Sequence, residues 1–325
     1  MLGKPRNSDG EMNHLLAIVG PTGVGKSKLA IRLAQTLDSE IISADSRQVY
    51  RYMDIGTAKP SQEELSLVSH HLINIVNPDM DFSLAQYQAL AYEAIADIQQ
   101  RSKLPLLVGG SGLYVWSVLE GWEIPQVAPD SEFRHNLEGR AAKFGKDELY
   151  RELMQVAPIA AQKIDPRNIR RTIRALEVCR TAKAPFSQIQ HKKAPPFNTF
   201  IIGLTADRAE LYRRIDLRVE QMIEQGLAEE VKKLLKMGYG FDLPAMSGIG
   251  YKQIGMFLRR EITLVAAIQQ IKSETHRLVR HQYNWFRLKD ERIKWFDIKS
   301  QPEAEITTLV AKFVEEEQAA RIGFR

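Results

Sequence analysis

A glycine-rich phosphate-binding sequence constrains this chain more than any other feature. Residues 20–27 are Gly-Pro-Thr-Gly-Val-Gly-Lys-Ser, which matches the P-loop pattern G-x-x-x-x-G-K-S. The apolar run Leu15–Val19 precedes the loop, and apolar residues at helical spacing (Leu29, Ala30, Leu33 and Leu37) follow it. The sequence therefore predicts a buried strand, a phosphate-binding turn and a helix, in the order that such a loop requires.

The residue types in this loop suit a diphosphate or triphosphate. Glycines allow successive backbone amides to point at an anion, and the following helix adds the positive end of its dipole. Lys26 supplies a point charge, and the hydroxyl of Ser27 is a candidate ligand for Mg²⁺. The predicted diphosphate- or nucleotide-binding residues are Gly20, Pro21, Thr22, Gly23, Val24, Gly25, Lys26 and Ser27.

Short apolar runs separated by helical patterns predict an α/β fold with a parallel sheet and helices on both faces. In such sheets ligands bind beyond the carboxyl ends of the strands. Functional residues are therefore expected in the P-loop, at Asp45 and in the turn Gly109–Gly112. The predicted strands are 15–19, 41–44, 104–108 and 200–204, with a weaker one at 295–298.

The pattern changes between residues 121 and 198, where strand-like runs disappear and helical periodicity dominates. This segment is interpreted as a helical insertion into a P-loop NTPase-like core formed by residues 13–120 and 199–300. Residues 1–12 are expected to be a disordered leader, and residues 301–325 a helical tail. A long helical stretch is predicted from Asp207 to Met237, ending at Gly238.

The second half of the insertion is the most basic part of the chain. From Lys163 to Lys193 there are nine Lys or Arg residues and two acidic ones. Arg167, Arg171 and Arg174 are spaced to share one face of a helix. A solvated helix face is one interpretation, but the charge imbalance favours contact with a nucleic-acid backbone.

Composition limits the classes of protein to which this chain can belong. The 325 residues carry a net charge of +5 and a single cysteine, Cys179, so disulfides and a thiolate metal cluster are excluded. No apolar run approaches the ~20 residues that span a bilayer. We expect a cytoplasmic, monomeric protein with no membrane partner.

The P-loop alone does not decide the reaction. The chain lacks the Asn-Lys-x-Asp signature of a guanine-binding protein. The run Ile41-Ile42-Ser43-Ala44-Asp45 also departs from the four apolar residues and Asp that are expected of a motor ATPase, because Ser43 interrupts it.

An ordered set of further motifs resembles the tRNA dimethylallyltransferase family. They extend from residue 15 to about residue 290, and it is their order that makes the resemblance specific. They are ISADSRQVY at 42–50, MDIGTAKP at 53–60, HLI at 71–73, VGGSGLY at 108–114, RALEV at 174–178, GIGYKQ at 248–253, and Gln282 followed by Trp285-Phe286-Arg287.

The resemblance implies transfer of a dimethylallyl group from dimethylallyl diphosphate to N6 of the adenine immediately 3′ of the tRNA anticodon. In that reaction the P-loop, Lys26 and a Mg²⁺ on Ser27 hold the diphosphate leaving group, and Arg218 matches the arginine that contacts it from the opposite side. Asp45 matches the catalytic base. Ser111 stands where the family usually has Thr and keeps the hydroxyl.

The resemblance also implies contacts with the tRNA anticodon stem-loop. Three departures put local contacts in question: Asn74 stands where the family often has Asp, and Leu278 and His281 replace Tyr and Arg. The implied tRNA contacts are Asp45, Ser46, Arg47, Gln48, Ser111, Arg134, Arg170, Arg171, Thr172, Ile173, Arg174, Ser247, Gly248, Ile249, Gly250, Tyr251 and Lys252.

Three alternatives stay open on the sequence. An adenylate prenyltransferase would perform the same chemistry on AMP, ADP or ATP, although a free nucleotide has no need of the basic insertion. A small-molecule kinase would bind ATP in the same loop. A nucleotide-dependent RNA-binding module would tolerate the loss of Asp45.

Overall fold

A parallel six-stranded sheet forms the centre of the computed structural model, which describes residues 13–125, 127, 130–182, 192–195 and 197–322. The strand order is β3-β2-β4-β1-β5-β6, and every neighbouring pair is parallel. The predicted α/β class with a parallel sheet is confirmed. The strands are β1 (Asn13–Val19), β2 (Ser39–Ser43), β3 (His70–His71), β4 (Leu104–Gly109), β5 (Phe197–Thr205) and β6 (Ile293–Asp297).

Helices lie between these strands along the chain, as connections between parallel strands usually require. In the first unit they are α1 (Lys26–Thr36), α2 (Gln62–Leu67), α3 (Leu84–Gln100), α4 (Gly112–Leu119), α9 (Arg208–Glu224), α10 (Leu227–Lys236), α11 (Tyr251–Leu258), α12 (Leu264–Trp285) and α13 (Glu303–Ile322). In the second unit they are α5 (Ser131–Phe144), α6 (Lys146–Val156), α7 (Pro158–Gln162) and α8 (Ile169–Ala182).

Strand β1 lies at the centre of the sheet. It pairs with β4 on one side and with β5 on the other, and residues Leu15 to Val19 are fully buried. A strand with apolar residues on both faces is stable only when helices cover both faces. The unbroken apolar run predicted a buried parallel strand, and the central position of β1 in the sheet accounts for that burial.

Residues Glu120–Pro195 form a compact unit of their own, and the remainder of the chain forms the other. The small unit has its own apolar core, to which Leu137, Leu149, Leu153 and Leu176 contribute. The predicted insertion ended at residue 198, whereas Phe197 and Asn198 already pair with Asn13 and His14 as the start of β5. The boundary therefore lies a few residues earlier than the sequence pattern indicated.

The long helical stretch predicted from Asp207 to Met237 is two helices. Gly226 lies between α9 and α10 and has a φ of 96°, in the left-handed region that glycine adopts without strain. The predicted end at Gly238 agrees with the end of α10 at Lys236.

The carboxy-terminal helix α13 packs on the sheet unit. Ile306 and Val310 are buried, and the Phe313 ring contacts the rings of His14 and Phe200 at 4.7 and 5.4 Å between centroids. Within the described residues, no helix has the length and apolar character needed to cross a bilayer. The leader predicted at residues 1–12 lies outside the described residues.

A buried carboxylate stabilises the sheet near the amino-terminal ends of its strands. Glu40 in β2 is 4% exposed and accepts hydrogen bonds from Arg101 on both oxygens, one of them at 2.8 Å. His71 Nε2 lies 2.8 Å and Lys103 Nζ lies 3.4 Å from the same carboxylate. These hydrogen bonds, chiefly that from Arg101, lower the pKa of Glu40 to about 2, although burial alone would raise it.

We predict that Glu40→Gln lowers the free energy of unfolding by about 1–2 kcal/mol near neutral pH, a value that allows for solvent around the half-exposed Arg101. Because the pKa of Glu40 is lower in the folded chain than its ordinary value of 4.5, the stabilisation is complete above that pH and is lost as the pH falls toward 2. Urea unfolding at neutral and acidic pH measures this, with the exposed Glu93→Gln as control. An equal loss at both pH values would contradict the prediction.

Candidate active site

The P-loop joins the carboxyl end of β1 to α1. Gly25 is the N-cap of α1 with a φ of 102°, a conformation that suits glycine and turns the chain into the helix. Val24 N donates to Pro21 O at 3.4 Å, which closes the loop. The amides at the start of α1 have no partner within the helix, so they are available to an anion.

Three charged side chains interact electrostatically at this loop. Lys26 Nζ donates to Pro21 O at 2.8 Å. The charges of Asp45 and Arg218 also interact with the Lys26 ammonium group. Burial lowers the pKa of the Lys26 ammonium group to about 8, with Asp45 opposing the decrease and Arg218 adding to it. Burial also lowers the pKa of Arg218, which has no hydrogen bond or ion pair among the described residues. Lys26 and Arg218 are thus two half-buried cations whose charges interact with the same carboxylate, an arrangement suited to a multiply charged anion.

Asp45 and Ser111 lie at the carboxyl ends of β2 and β4. Ser111 N donates to Ala44 O at 3.2 Å, and Ser111 Oγ accepts from Ser46 N at 3.0 Å. Asp45 Oδ1 accepts from Arg47 N at 2.8 Å, which fixes the carboxylate at the turn. The other oxygen, Oδ2, has no hydrogen-bond partner among the described residues and is available to accept a proton.

Gln282 connects the two turns, a contact that sequence reasoning missed. Its Oε1 accepts from Thr22 N at 2.8 Å, and its Nε2 donates to Gly110 O at 3.1 Å. The side chain is 7% exposed. Gln282 belonged to a motif of the resemblance, but nothing in the sequence indicated which of the distant turns it reaches. It holds the P-loop and the Ser111 turn in a fixed relation.

The segment 244–252 contacts the Asp45–Gln48 turn. Arg47 Nη1 donates to Pro244 O at 3.2 Å. Ser247 and Lys252 are exposed, and Ile249 is half-buried. These side chains remain candidates for contact with tRNA, as do Ser46, Arg47 and Gln48, which are all half-buried.

Tyr251 is buried, although the sequence predicts that it contacts tRNA. Its side chain is 1% exposed, and its hydroxyl donates to Glu230 Oε1 at 2.6 Å. Gly248 and Gly250 are also buried. Since these residues occupy the interior of the turn, we revise their predicted role from contacting tRNA to shaping the segment that presents Ser247 and Lys252.

In the second unit, Arg134 and Arg174 both bind the fully buried Glu177. Arg134 Nη2 and Arg174 Nη1 lie 2.8 and 2.5 Å from its Oε2. Burial would raise the pKa of Glu177, but the hydrogen bonds from Arg134, from the Asp130 amide and from Arg174 outweigh it and lower the pKa. Both arginines thus have a structural role in addition to the predicted contact with tRNA.

The other predicted tRNA contacts on α8 include both buried and exposed residues, because the helical period turns them to different faces of the helix. Thr172 and Ile173 are 1% and 3% exposed, and Ile173 lies in the apolar core of this unit, so their side chains are not available to tRNA in this structure. Arg170 and Arg171 are exposed, and their guanidinium groups have no ion-pair partner among the described residues. Within residues 170–174, the side chains that are exposed and free of an ion pair are therefore those of Arg170 and Arg171, and they remain predicted contacts with tRNA.

Comparison with known proteins supplies a family. The model of the family described as IPP transferase matches residues 48–289. A curated tRNA dimethylallyltransferase from Dehalococcoides mccartyi is 50% identical over 300 residues, which are 92% of each chain. Another from Roseiflexus sp. is 53% identical over 273 residues, 84% of this chain and 90% of the relative.

Solved structures agree with that result. The full-length tRNA isopentenylpyrophosphate transferase from Bacillus halodurans is 41% identical, with a TM-score of 0.70, over 95% of this chain and 99% of its own. A eukaryotic dimethylallyltransferase described as acting on tRNA is 26% identical, with a TM-score of 0.79, over 94% of this chain and 80% of its own.

We predict that the affinity of the protein for inorganic pyrophosphate decreases as the pH rises through about 8, because Lys26 then loses its charge. At higher pH the loss approaches about tenfold per unit if only the charged lysine binds. Calorimetric titration from pH 7 to 9.5 measures this.

Lys26→Arg is the matched control, because arginine stays charged over the whole range. Ionisation of pyrophosphate is common to both proteins, so the ratio of their affinities reports Lys26 alone. Parallel pH profiles for the two proteins would contradict the prediction.

Proposed function

Because the chain belongs to the IPP transferase family, we propose that it transfers a dimethylallyl group from dimethylallyl diphosphate to N6 of the adenosine immediately 3′ of a tRNA anticodon. The observation that carries this proposal is the grouping of Lys26, Arg218 and Asp45 beside the P-loop. Two half-buried cations suit the departing diphosphate, and a carboxylate that interacts with both suits the acceptor amine.

The two cations act on the leaving group. As the allylic C–O bond breaks, negative charge grows on the departing diphosphate, and donors aimed at that charge stabilise the transition state more than the ground state. The loop amides, Lys26 and Arg218 are such donors. Each well-placed donor contributes about 3–4 kcal/mol in comparable oxyanion sites.

Asp45 acts on the acceptor. An adenine N6 amine is a weak nucleophile because its lone pair is conjugated with the ring. We assign Asp45 Oδ2 to accept its proton during attack, since Oδ1 is committed to the Arg47 amide. Ser111 lies beside Asp45, and its hydroxyl is assigned to orient the adenine. General-base assistance of this kind accelerates a reaction by about 10²–10⁴-fold.

Mg²⁺ fits the donor set at the P-loop. Ser27 is exposed at the start of α1, and its hydroxyl has no hydrogen-bond partner among the described residues. No group of three or more His, Cys, Asp or Glu side chains suited to a metal occurs in the described part of the chain. Mg²⁺ commonly takes few protein ligands together with substrate phosphates and water. When bound, it would neutralise charge on the leaving diphosphate.

The acceptor must leave its stack to meet Asp45, which costs a few kcal/mol in comparable enzymes. Contacts to the tRNA backbone offset that cost, and the exposed Arg170 and Arg171 are assigned to them. We assign the contacts with the unstacked adenine base to the Asp45–Gln48 turn and to the segment with Ser247 and Lys252. Since tRNA is the acceptor, we place the reaction in the cytoplasm.

The test is an incubation of the protein with Mg²⁺, dimethylallyl diphosphate and an unmodified tRNA that carries adenosine 3′ of its anticodon. Mass spectrometry of the nucleosides should show one added dimethylallyl group on that adenosine. Parallel reactions contain AMP or ATP. Modification of the free nucleotide alone would indicate an adenylate prenyltransferase, and phosphoryl transfer from ATP a kinase.

Asp45→Asn should lower kcat by about 10²–10⁴-fold, because the amide cannot accept the proton. Its shape is similar, but it removes a negative charge that acts on Lys26 and Arg218, so pyrophosphate should bind to the P-loop at pH 7 as tightly as to wild type or more tightly. Single-turnover kinetics and calorimetry measure the two effects. A variant with the wild-type kcat would refute the role of Asp45 as a base.

The double variant Arg170→Ala with Arg171→Ala should weaken tRNA binding about 10-fold or more and make it less dependent on salt, because two phosphate contacts are lost. Its thermal stability should be unchanged. Arg174→Ala, by contrast, should destabilise the second unit, because the buried Glu177 loses a partner. Salt-dependent filter binding and thermal melting distinguish the two cases, and equal effects of the two variants on both measurements would contradict the assignment.

A further inference from the structure

Glu230 on α10 collects four hydrogen bonds from two segments distant in sequence. Its Oε2 accepts from Asp54 N at 2.9 Å and from Ile55 N at 2.8 Å. Its Oε1 accepts from Gly56 N at 3.2 Å and from the Tyr251 hydroxyl at 2.6 Å. Hydrogen bonds to an ionised carboxylate are stronger than those between neutral groups, so Glu230 joins the two segments firmly.

The first of these segments is hydrogen-bonded to Gln48. The turn that begins at Asp54 continues through Thr57 and Ala58, whose carbonyls accept from Gln48 Nε2 at 3.4 and 3.2 Å. Gln48 Oε1 in turn accepts from Ser43 Oγ at 3.0 Å, at the end of β2. The position of the 54–58 turn therefore fixes the Gln48 side chain, three residues beyond Asp45.

The second segment leads to Ser247 and Lys252. Tyr251 is buried next to Lys252, and its ring fills the space beside Gly56, where a Cβ atom would lie only 2.5 Å from the ring. The Tyr251 ring and the Glu230 carboxylate thus contact the same turn and are hydrogen-bonded to each other. Arg47 separately links the Asp45–Gln48 turn to the segment 244–252 by donating to Pro244 O.

We propose that Glu230 is a positioning residue for the acceptor tRNA: through the 54–58 turn and the Tyr251 hydroxyl it sets the distance between the Asp45–Gln48 turn and the segment with Ser247 and Lys252. The proposal rests on the proposed function, since it assigns the two segments to one tRNA loop. Glu230 itself contacts no reacting atom.

A carboxylate is required at this position because all four partners are donors. Glu230→Gln keeps the size of the side chain but places an NH₂ group against backbone N–H groups, so at least one donor loses its acceptor. The two segments then lose the carboxylate that joins them, while the contacts of the P-loop with Gln282 and of Lys26 with Pro21 do not involve Glu230. The effect on tRNA is thereby separable from the effect on the diphosphate.

The test compares steady-state kinetics of the full chain for both substrates. Glu230→Gln should lower kcat/KM for tRNA by about 10- to 100-fold, the range expected when a charged hydrogen-bond network is disrupted. KM for dimethylallyl diphosphate and the Kd for pyrophosphate should stay within about twofold of wild type. Tyr251→Phe removes one of the four hydrogen bonds and should produce a smaller change in the same direction.

The matched control is Glu229→Gln, an exposed neighbour whose carboxylate pairs with Lys232 at 3.3 Å, and it should leave the kinetics for both substrates unaffected. If Glu230→Gln does not fold, Tyr251→Phe decides. Unchanged kcat/KM for tRNA, or an equal loss for both substrates, would overturn the inference. If wild type itself transfers no prenyl group to tRNA, the proposed function fails first, and the two failures are distinguishable.

Discussion

The burial of β1 is the constraint on which the rest of the site depends. Residues Leu15 to Val19 are fully buried between β4 and β5, and each apolar side chain removed from water stabilises the fold by about 1.5–3 kcal/mol. The chain leaves this strand directly into the P-loop. An anion held there would be bound by backbone amides that follow a strand buried and paired on both sides, so those donors need little reorganisation as charge develops on a leaving group.

The strand order then determines which side chains meet the anion. Because β4 lies between β1 and β2, the carboxyl ends of these three strands are adjacent, and the P-loop, Ser111 and Asp45 come to one edge. Gln282 reaches from α12 to bond both Thr22 and Gly110. The groups assigned to the leaving diphosphate and to the acceptor amine are thus held by different strands within one rigid frame, which is what a displacement between two fixed partners requires.

The sequence predicted what is encoded locally. Apolar runs predicted five of the strands, and the P-loop motif predicted the order of strand, turn and helix at β1 and α1, because both are patterns of adjacent residues. The two-residue strand β3 is too short to show a period, and the break at Gly226 lies inside an otherwise continuous helical pattern. Gln282 and Glu230 act on residues 260 and 174 to 176 positions away, so only the folded chain reveals their partners. The burial of Tyr251, Thr172 and Ile173 depends on the same tertiary packing.

In the basic segment of the second unit, residues 163–193, ion pairs leave fewer cations free to bind an anion than the charge count indicates. Of its nine cations, Arg167, Arg174, Arg180 and Lys192 pair with Asp165, Glu177, Asp130 and Glu120. Three of these pairs are solvent-exposed, and such pairs are worth about 0–1 kcal/mol, so those cations can exchange their partner for a phosphate at little cost. Arg174 differs, because withdrawing it from the fully buried Glu177 removes part of the compensation for a buried charge. Among the described residues of this segment, contact with a polyanion is therefore cheapest at the exposed cations that have no ion pair, which are Lys163, Arg170, Arg171 and Lys193. On α8, the helical period that buries Ile173 is what leaves the side chains of Arg170 and Arg171 on the surface.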